Sequence, residues 1–134
     1  MRKINRIVDA NINRLKEGLR TAEDILRFYF DRPSLWKALR DLRHKASLLS
    51  IQVWGRGELL KARDTKKDKG KIIPEGARRD LKDILYTAFQ RSKESLRVLE
   101  ELSKLTDIKK SAIFKKLRFK LYSLEKKVIL DIDK

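Results

Sequence analysis

Between Lys3 and Phe30 the apolar residues Ile4, Ile7, Val8, Leu15, Leu19, Ala22, Leu26 and Tyr29 recur at three- and four-residue intervals, with polar residues between them. That period marks one face of a helix, so the segment reads as a single long amphipathic helix. Asp31-Arg32-Pro33-Ser34 interrupts it, because proline disfavours helical geometry in the preceding residue and Ser34 has the chemistry of an N-cap. A second helix is expected from Ser34 to about Trp54 on the stripe Leu35, Leu39, Leu42, Ala46, Leu49 and Val53, ended by Gly55 and Gly57. A third follows from about Ala77 to Leu105 through Leu81, Leu85, Ala88, Leu96, Leu99 and Leu102. A fourth runs from about Ile108 to Leu130 through Leu117, Leu121, Leu124 and Val128, with Asp107 or Thr106 as its cap. Residues 62–76 have no sustained period and carry Gly70, Pro74 and Gly76, which makes them the one long loop.

A repeat organises these elements. Asn13 to Asp24 aligns with Gln90 to Glu101 at a constant offset of 77, with six of twelve positions identical. Lys37-Ala38-Leu39-Arg40 and Lys115-Lys116-Leu117-Arg118 echo each other more weakly at offset 78. The expected fold is therefore all-α, a single domain over 1–134: a bundle of about four long helices built from two pseudo-two-fold-related helical hairpins.

Composition narrows the chemistry. The 134 residues include no Cys and one His, which excludes disulfides, thiolate metal sites, a cysteine nucleophile and a multi-His metal site within one chain. No run approaches eighteen uncharged apolar residues and the N-terminus lacks an apolar signal core, so a soluble, cytoplasmic protein without a membrane partner is expected. Lys and Arg number 35 against 19 Asp and Glu, a net charge of +16, with the excess in the middle and the tail. Such charge binds polyanions. The chain has no zinc-finger or basic-zipper signature and no aromatic-interleaved basic pattern, which favours a solvated basic surface or a pocket for a small phosphorylated ligand over sequence-specific nucleic acid.

At 100° per residue, Asn13, Glu17, Arg20 and Asp24 share a stripe roughly opposite the apolar face, flanked by Arg14 and Glu23. Gln90, Glu94, Arg97 and Glu101, flanked by Arg91 and Glu100, repeat the pattern. One reading is an exposed salt-bridge ladder, Arg14 to Glu17 to Arg20 to Asp24. The other is two Arg-plus-carboxylate sets that clamp phosphates with guanidinium forks and hold a divalent cation. Asn11 sits within the apolar face, where its amide either orients a ligand or is satisfied by a neighbouring helix or water. Arg63-Asp64-Thr65 and Asp68-x-Gly70 equip the loop to close over a phosphate–magnesium group, or simply make it a charged tether. Tyr122, with Arg118 and Glu125 on neighbouring turns, presents a polar tip to a cleft or caps the core. His44 reads as structural or superficial, and Trp36, Trp54, Phe28, Phe30, Phe114 and Phe119 read as core aromatics.

The strings Asp9-Ala10-Asn11-x-Asn13-Arg14-x-x-Glu17-Gly18-Leu19-Arg20-x-x-Glu23-Asp24, Leu42-Arg43-His44, Ala62-Arg63-Asp64-Thr65-x-x-Asp68-x-Gly70, Arg91-x-x-Glu94-x-Leu96-Arg97-Val98-Leu99-Glu100-Glu101 and Leu117-Arg118-Phe119-x-Leu121-Tyr122-x-Leu124-Glu125 span nearly the whole chain. Together they resemble a small all-helical hydroxymethylpyrimidine phosphate kinase family of thiamine biosynthesis, whose members occur alone or fused ahead of thiamine-phosphate synthase. Two positions depart from that pattern: Thr87-Ala88 stand where the family tends to carry Ala-Asn, and Lys67 where it usually has glycine. The resemblance implies phosphorylation of hydroxymethylpyrimidine phosphate to its diphosphate, with ATP as co-substrate and Mg2+ as cofactor. On this expectation Arg20, Arg97, Arg63 and Asp64 are catalytic. Asn11, Arg14, Arg91, Thr65, Gly70, Arg118 and Tyr122 bind substrate or phosphate, and Glu17, Glu94 and Asp68 bind metal. Expected partners are the phosphorylated pyrimidine and ATP, with thiamine-phosphate synthase or a second copy of the chain as protein partners. The alternative is a non-catalytic helical partner or substrate-organising module of the synthase, in which the paired Arg and Glu are structural.

Overall fold

The structure, a computed structural model, describes residues 1–133. Five α-helices follow one another: α1 (Arg2–Asp24), α2 (Pro33–Trp54), α3 (Arg56–Ala62), α4 (Leu81–Ser103) and α5 (Ile108–Ile132). A π-helical turn at Ile25–Tyr29 extends α1, and a short 3-10 turn occupies Lys69–Ile72. The four long helices form the expected bundle, with α1 on α2, α4 on α5, and the two hairpins joined through α1–α4 and α2–α5. No helix among the described residues is long and apolar enough to cross a membrane.

The periodic stripes supply one continuous core. Val8, Leu15, Leu19, Ala22 and Leu26 meet Leu39, Leu42 and Ala46 from α2, Leu85, Phe89, Leu96 and Leu99 from α4, and Phe114, Leu121 and Val128 from α5. Burying each large apolar side chain contributes about 1.5–3 kcal/mol. Trp54 and Phe114 pack at 5.8 Å between ring centroids, as core aromatics should. Phe28 and Phe119 do not belong to the core: they are 72% and 53% exposed, while Ile7 and Tyr29 of the expected first stripe also face solvent.

The π-helical turn explains part of that difference. Phe30 donates its N–H to the Ile25 carbonyl at 3.1 Å, an i→i+5 bond that departs from the 3.6-residue period. Ile25 and Leu26 turn inward and Phe28 and Tyr29 turn outward. The chain then reverses through Asp31 at φ 54°, a left-handed conformation rare outside glycine. Arg32, not Ser34, occupies the N-cap of α2, and Pro33 takes the first helical position, where its missing N–H costs nothing.

Gly55, at φ 83°, ends α2 as expected, but the chain re-enters a helix at once, and Gly57 lies inside α3. α3 is only seven residues long, too short to announce itself by period, and buries Leu59 and Ala62. α4 begins at Leu81, later than expected, because Asp80 caps it by accepting the Asp83 N–H at 2.8 Å. Asp107 caps α5 by accepting the Lys110 N–H at 3.2 Å.

The repeat is visible in the packing. Glu23 of α1 holds Arg43 of α2, and Glu100 of α4 holds Arg118 of α5. The counterpart of Leu117-Arg118 is therefore Leu42-Arg43, and not Leu39-Arg40 as the offset of 78 suggested. The first hairpin spends two more residues on its turn, which displaces the register of the second helices.

Where α1 crosses α4, Gly18 has no room for a side chain: a Cβ there would lie 2.4 Å from Ser92 Oγ and 3.1 Å from the Ala88 carbonyl oxygen. Glycine within a helix costs about 1 kcal/mol relative to alanine, so its presence reflects this close approach. Gly18→Leu is expected to destabilise the fold by about 1–3 kcal/mol through overpacking, seen as a lower urea midpoint. Ser92 Oγ is buried with no hydrogen-bond partner, so Ser92→Ala should leave the midpoint unchanged or raise it.

Candidate functional site

The close contact at Gly18 draws the exposed flanks of α1 and α4 into a common cleft of about 170 Å3. Arg14 and Arg91, counterparts in the repeat, both line it, joined by Arg78 from the segment before α4 and by Glu17, Thr21 and Thr87. Arg91 has Glu75 at 3.4 Å, whereas Arg14 and Arg78 have no carboxylate partner among the described residues. Three guanidinium groups against two carboxylates, Glu17 and the exposed Glu75, leave a local positive field suited to phosphate oxygens.

The cleft continues along α1. Glu17 and Thr21 also border a shallow depression of about 460 Å3 that holds Asn13, Lys16, Arg20 and Arg43. Arg20 then borders a third, of about 290 Å3, with Arg27, Arg40, Asp24 and the half-buried Trp36. One face of α1 thus carries a cationic groove, and its periodicity explains why Asn13, Glu17 and Arg20 share it.

Buried ion pairs hold this face in place. Arg43 donates from Nε and Nη2 to the two Glu23 carboxylate oxygens at 2.6 and 3.0 Å, with the glutamate 3% exposed. Those hydrogen bonds raise the Arg43 pKa, against the opposing effect of burial. In the second hairpin Arg118 donates to Glu100 at 2.7 and 3.4 Å and to the Tyr122 hydroxyl at 3.0 Å. Its pKa is raised first by the hydrogen bond to Glu100. Arg63, at the end of α3, donates to both oxygens of the buried Asp9 at 2.7 and 2.8 Å. This pins the start of the long loop to α1. Arg63→Ala is therefore expected to speed limited proteolysis within residues 63–80, while cleavage elsewhere stays unchanged.

The structure brings together only part of the expected site. Arg14, Glu17 and Arg91 share the cleft and Arg20 lies in the adjoining depression. Arg20 reaches Asp24 at 3.6 Å, the one rung of the expected Arg14–Asp24 ladder that forms. Arg97 lies outside the cleft, paired with Glu100 and Glu101 at 3.4 Å each. Arg118 and Tyr122 also lie away from the cleft: Arg118 is buried against Glu100 and donates to the Tyr122 hydroxyl, while the Tyr122 ring is partly exposed. Arg63 is committed to Asp9. Asn11, 5% exposed, donates to the Ile7 carbonyl of its own helix at 2.8 Å.

In the loop, Asp64 accepts the Lys67 N–H at 3.2 Å and Asp68 accepts the Gly70 N–H at 2.9 Å, while Thr65 faces solvent. These groups build local turns. Glu17, Glu94 and Asp68 do not come together, and among the described residues no three His, Asp or Glu side chains gather to hold a metal ion. His44 is exposed on α2. Arg78, Thr21 and Thr87 join the site without having been expected there. Arg78 was expected inside the third helix but lies in the segment before α4, and only Gly18, a costly residue inside a helix, signalled that another helix approaches at this point.

Comparison with known proteins adds a family to this geometry. The chain is 39% identical over 125 residues to thiamine-phosphate synthase of Synechocystis sp., covering 91% of this chain and 35% of that protein. It is 36% identical over 132 residues to thiamine-phosphate synthase of Thermosynechococcus vestitus, covering 96% of this chain and 36% of that protein. Thiamine-phosphate synthase of Rhodopirellula baltica is 36% identical over 125 residues, covering 91% and 33%. The chain spans about a third of the length of these curated relatives. No solved structure matches. The profile of the ThiD2 family matches residues 6–127, nearly the full helical bundle, and the chain belongs to that family.

Proposed function

We propose that this chain acts in thiamine biosynthesis alongside thiamine-phosphate synthase, in the cytoplasm, and that it phosphorylates hydroxymethylpyrimidine phosphate to the diphosphate with magnesium ATP. The observation that carries the reading is the groove in which Arg14, Arg78 and Arg91 converge beside Glu17 and continue into Lys16 and Arg20. Joining two polyanions is a problem of charge neutralisation and alignment, which guanidinium groups on rigid helices supply. An oxygen of the acceptor phosphate attacks the γ-phosphorus as the bond to the β–γ bridging oxygen breaks, and ADP leaves. The acceptor oxygen is already ionised, so no strong general base is required. Glu17, the carboxylate that lines the cleft, would support a nucleotide-bound magnesium ion, whose chemistry would be to offset charge on the transferring phosphoryl group. It would also temper repulsion among the arginines.

The second reading is a non-catalytic module that organises the substrate of the synthase. The names and lengths of the relatives favour it, since each is a thiamine-phosphate synthase about three times longer than the matched segment. Incubating the purified chain with the pyrimidine phosphate and magnesium ATP, and following mass, separates the two. The kinase reading expects diphosphate from the chain alone. Absence of product, with faster turnover by an added synthase, would establish the module.

A further inference from the structure

Beyond Lys16, towards the start of α1, the groove changes character where α1, α2 and α3 meet around a depression of about 320 Å3. Its floor is apolar, from Ile12, Ile51 and Leu59, and its rim carries Asn13, Lys16 and Arg56. The twofold Asp9–Arg63 hydrogen bond closes one end. Asn13 and Lys16 also border the neighbouring cationic depression, so the two adjoin. Among the described residues the Asn13 amide makes no side-chain hydrogen bond, and Lys16 and Arg56 form no ion pair. An apolar floor with a few convergent polar groups is the general form of a small-molecule site. A primary amide offers one acceptor and two donors, the complement of a ring nitrogen beside an exocyclic amino group.

We propose that this depression takes the ring of a phosphorylated single-ring nitrogen heterocycle, with the ring over Ile12, Ile51 and Leu59, its edge read by Asn13, and its phosphate directed to Lys16 and the groove. The inference rests on the reading that the groove binds a phosphorylated ring, and it assigns the specificity that a row of cations lacks. Lys16 and Arg20 would take any phosphate. Only the Asn13 and Ile51 surface can distinguish the ring from inorganic pyrophosphate.

The test is calorimetric binding of hydroxymethylpyrimidine phosphate and, separately, of inorganic pyrophosphate to the full chain, Asn13→Ala and Ile51→Trp. Asn13→Ala removes an amide that bonds nothing in the protein, so the fold should persist even if the larger Ile51→Trp substitution disturbs it. The expected result is about tenfold or greater loss of pyrimidine phosphate affinity in both variants, with pyrophosphate affinity within about twofold of native. Native-like binding of the pyrimidine phosphate by Asn13→Ala, or no binding of it by the native chain, overturns the proposal. Because the readout is binding, selective loss in the variants supports the site even where the native chain yields no diphosphate, which would overturn the kinase reading alone.

Discussion

Arg118→Ala is expected to destabilise the protein by about 3–5 kcal/mol, the largest effect of these truncations, because it leaves the buried Glu100 carboxylate with only a long 3.4 Å contact from the solvent-exposed Arg97. Glu100 is 3% exposed and Arg118 7%, and the arginine supplies both hydrogen bonds shown between their side chains. The cost comes from the partner left behind and not from the pair's net worth, since two desolvated charges gain little over a well-packed apolar pair. Glu100→Leu with Arg118→Leu should therefore recover most of the loss, to within about 1 kcal/mol of native. Arg43→Ala should cost less than Arg118→Ala, because its side chain is 14% exposed against 8% and water can reach the vacated space. Urea denaturation of the four proteins checks the order. Equal and small losses for both single variants would mean that neither pair is desolvated.

Arg14→Ala and Arg91→Ala are each expected to lower kcat for diphosphate formation by about 10²–10³, the usual effect of removing one preorganised charge donor from a developing phosphoryl charge. Both side chains are exposed, so stability should change by no more than about 0.5 kcal/mol. Arg97→Ala is the contrasting variant: its guanidinium is paired with Glu100 and Glu101 outside the cleft, and its loss should leave kcat near native. Steady-state kinetics with saturating magnesium ATP measures all three. A loss at Arg97 equal to that at Arg14 would move the site to the second hairpin.

The bundle was legible because Leu15, Leu19, Leu85, Leu96, Leu121 and their neighbours recur at the helical period and must be buried together. The π-helical turn and α3 were not, since one inserted residue and one seven-residue helix leave no period to detect. The site was half legible. Arg14, Glu17, Arg20 and Arg91 stood out because the repeat duplicates them, but sequence spacing cannot say whether a charge faces a groove or a buried counter-ion. Glu23 and Glu100 read as flanks of a polar stripe and are buried struts, because the second helix of each hairpin offers an arginine across the interface. Arg63 looked like a loop phosphate ligand for the same reason, and only the fold reveals Asp9 opposite it.

If phosphates bind in the groove centred on Arg14 and Arg91, a pyrophosphate binding isotherm for the native chain will differ from that of the Arg14→Ala/Arg91→Ala double variant. Native binding should be saturable and should fall by about tenfold or more in the folded variant. Equal affinity in the two proteins would place phosphate binding elsewhere on the molecule.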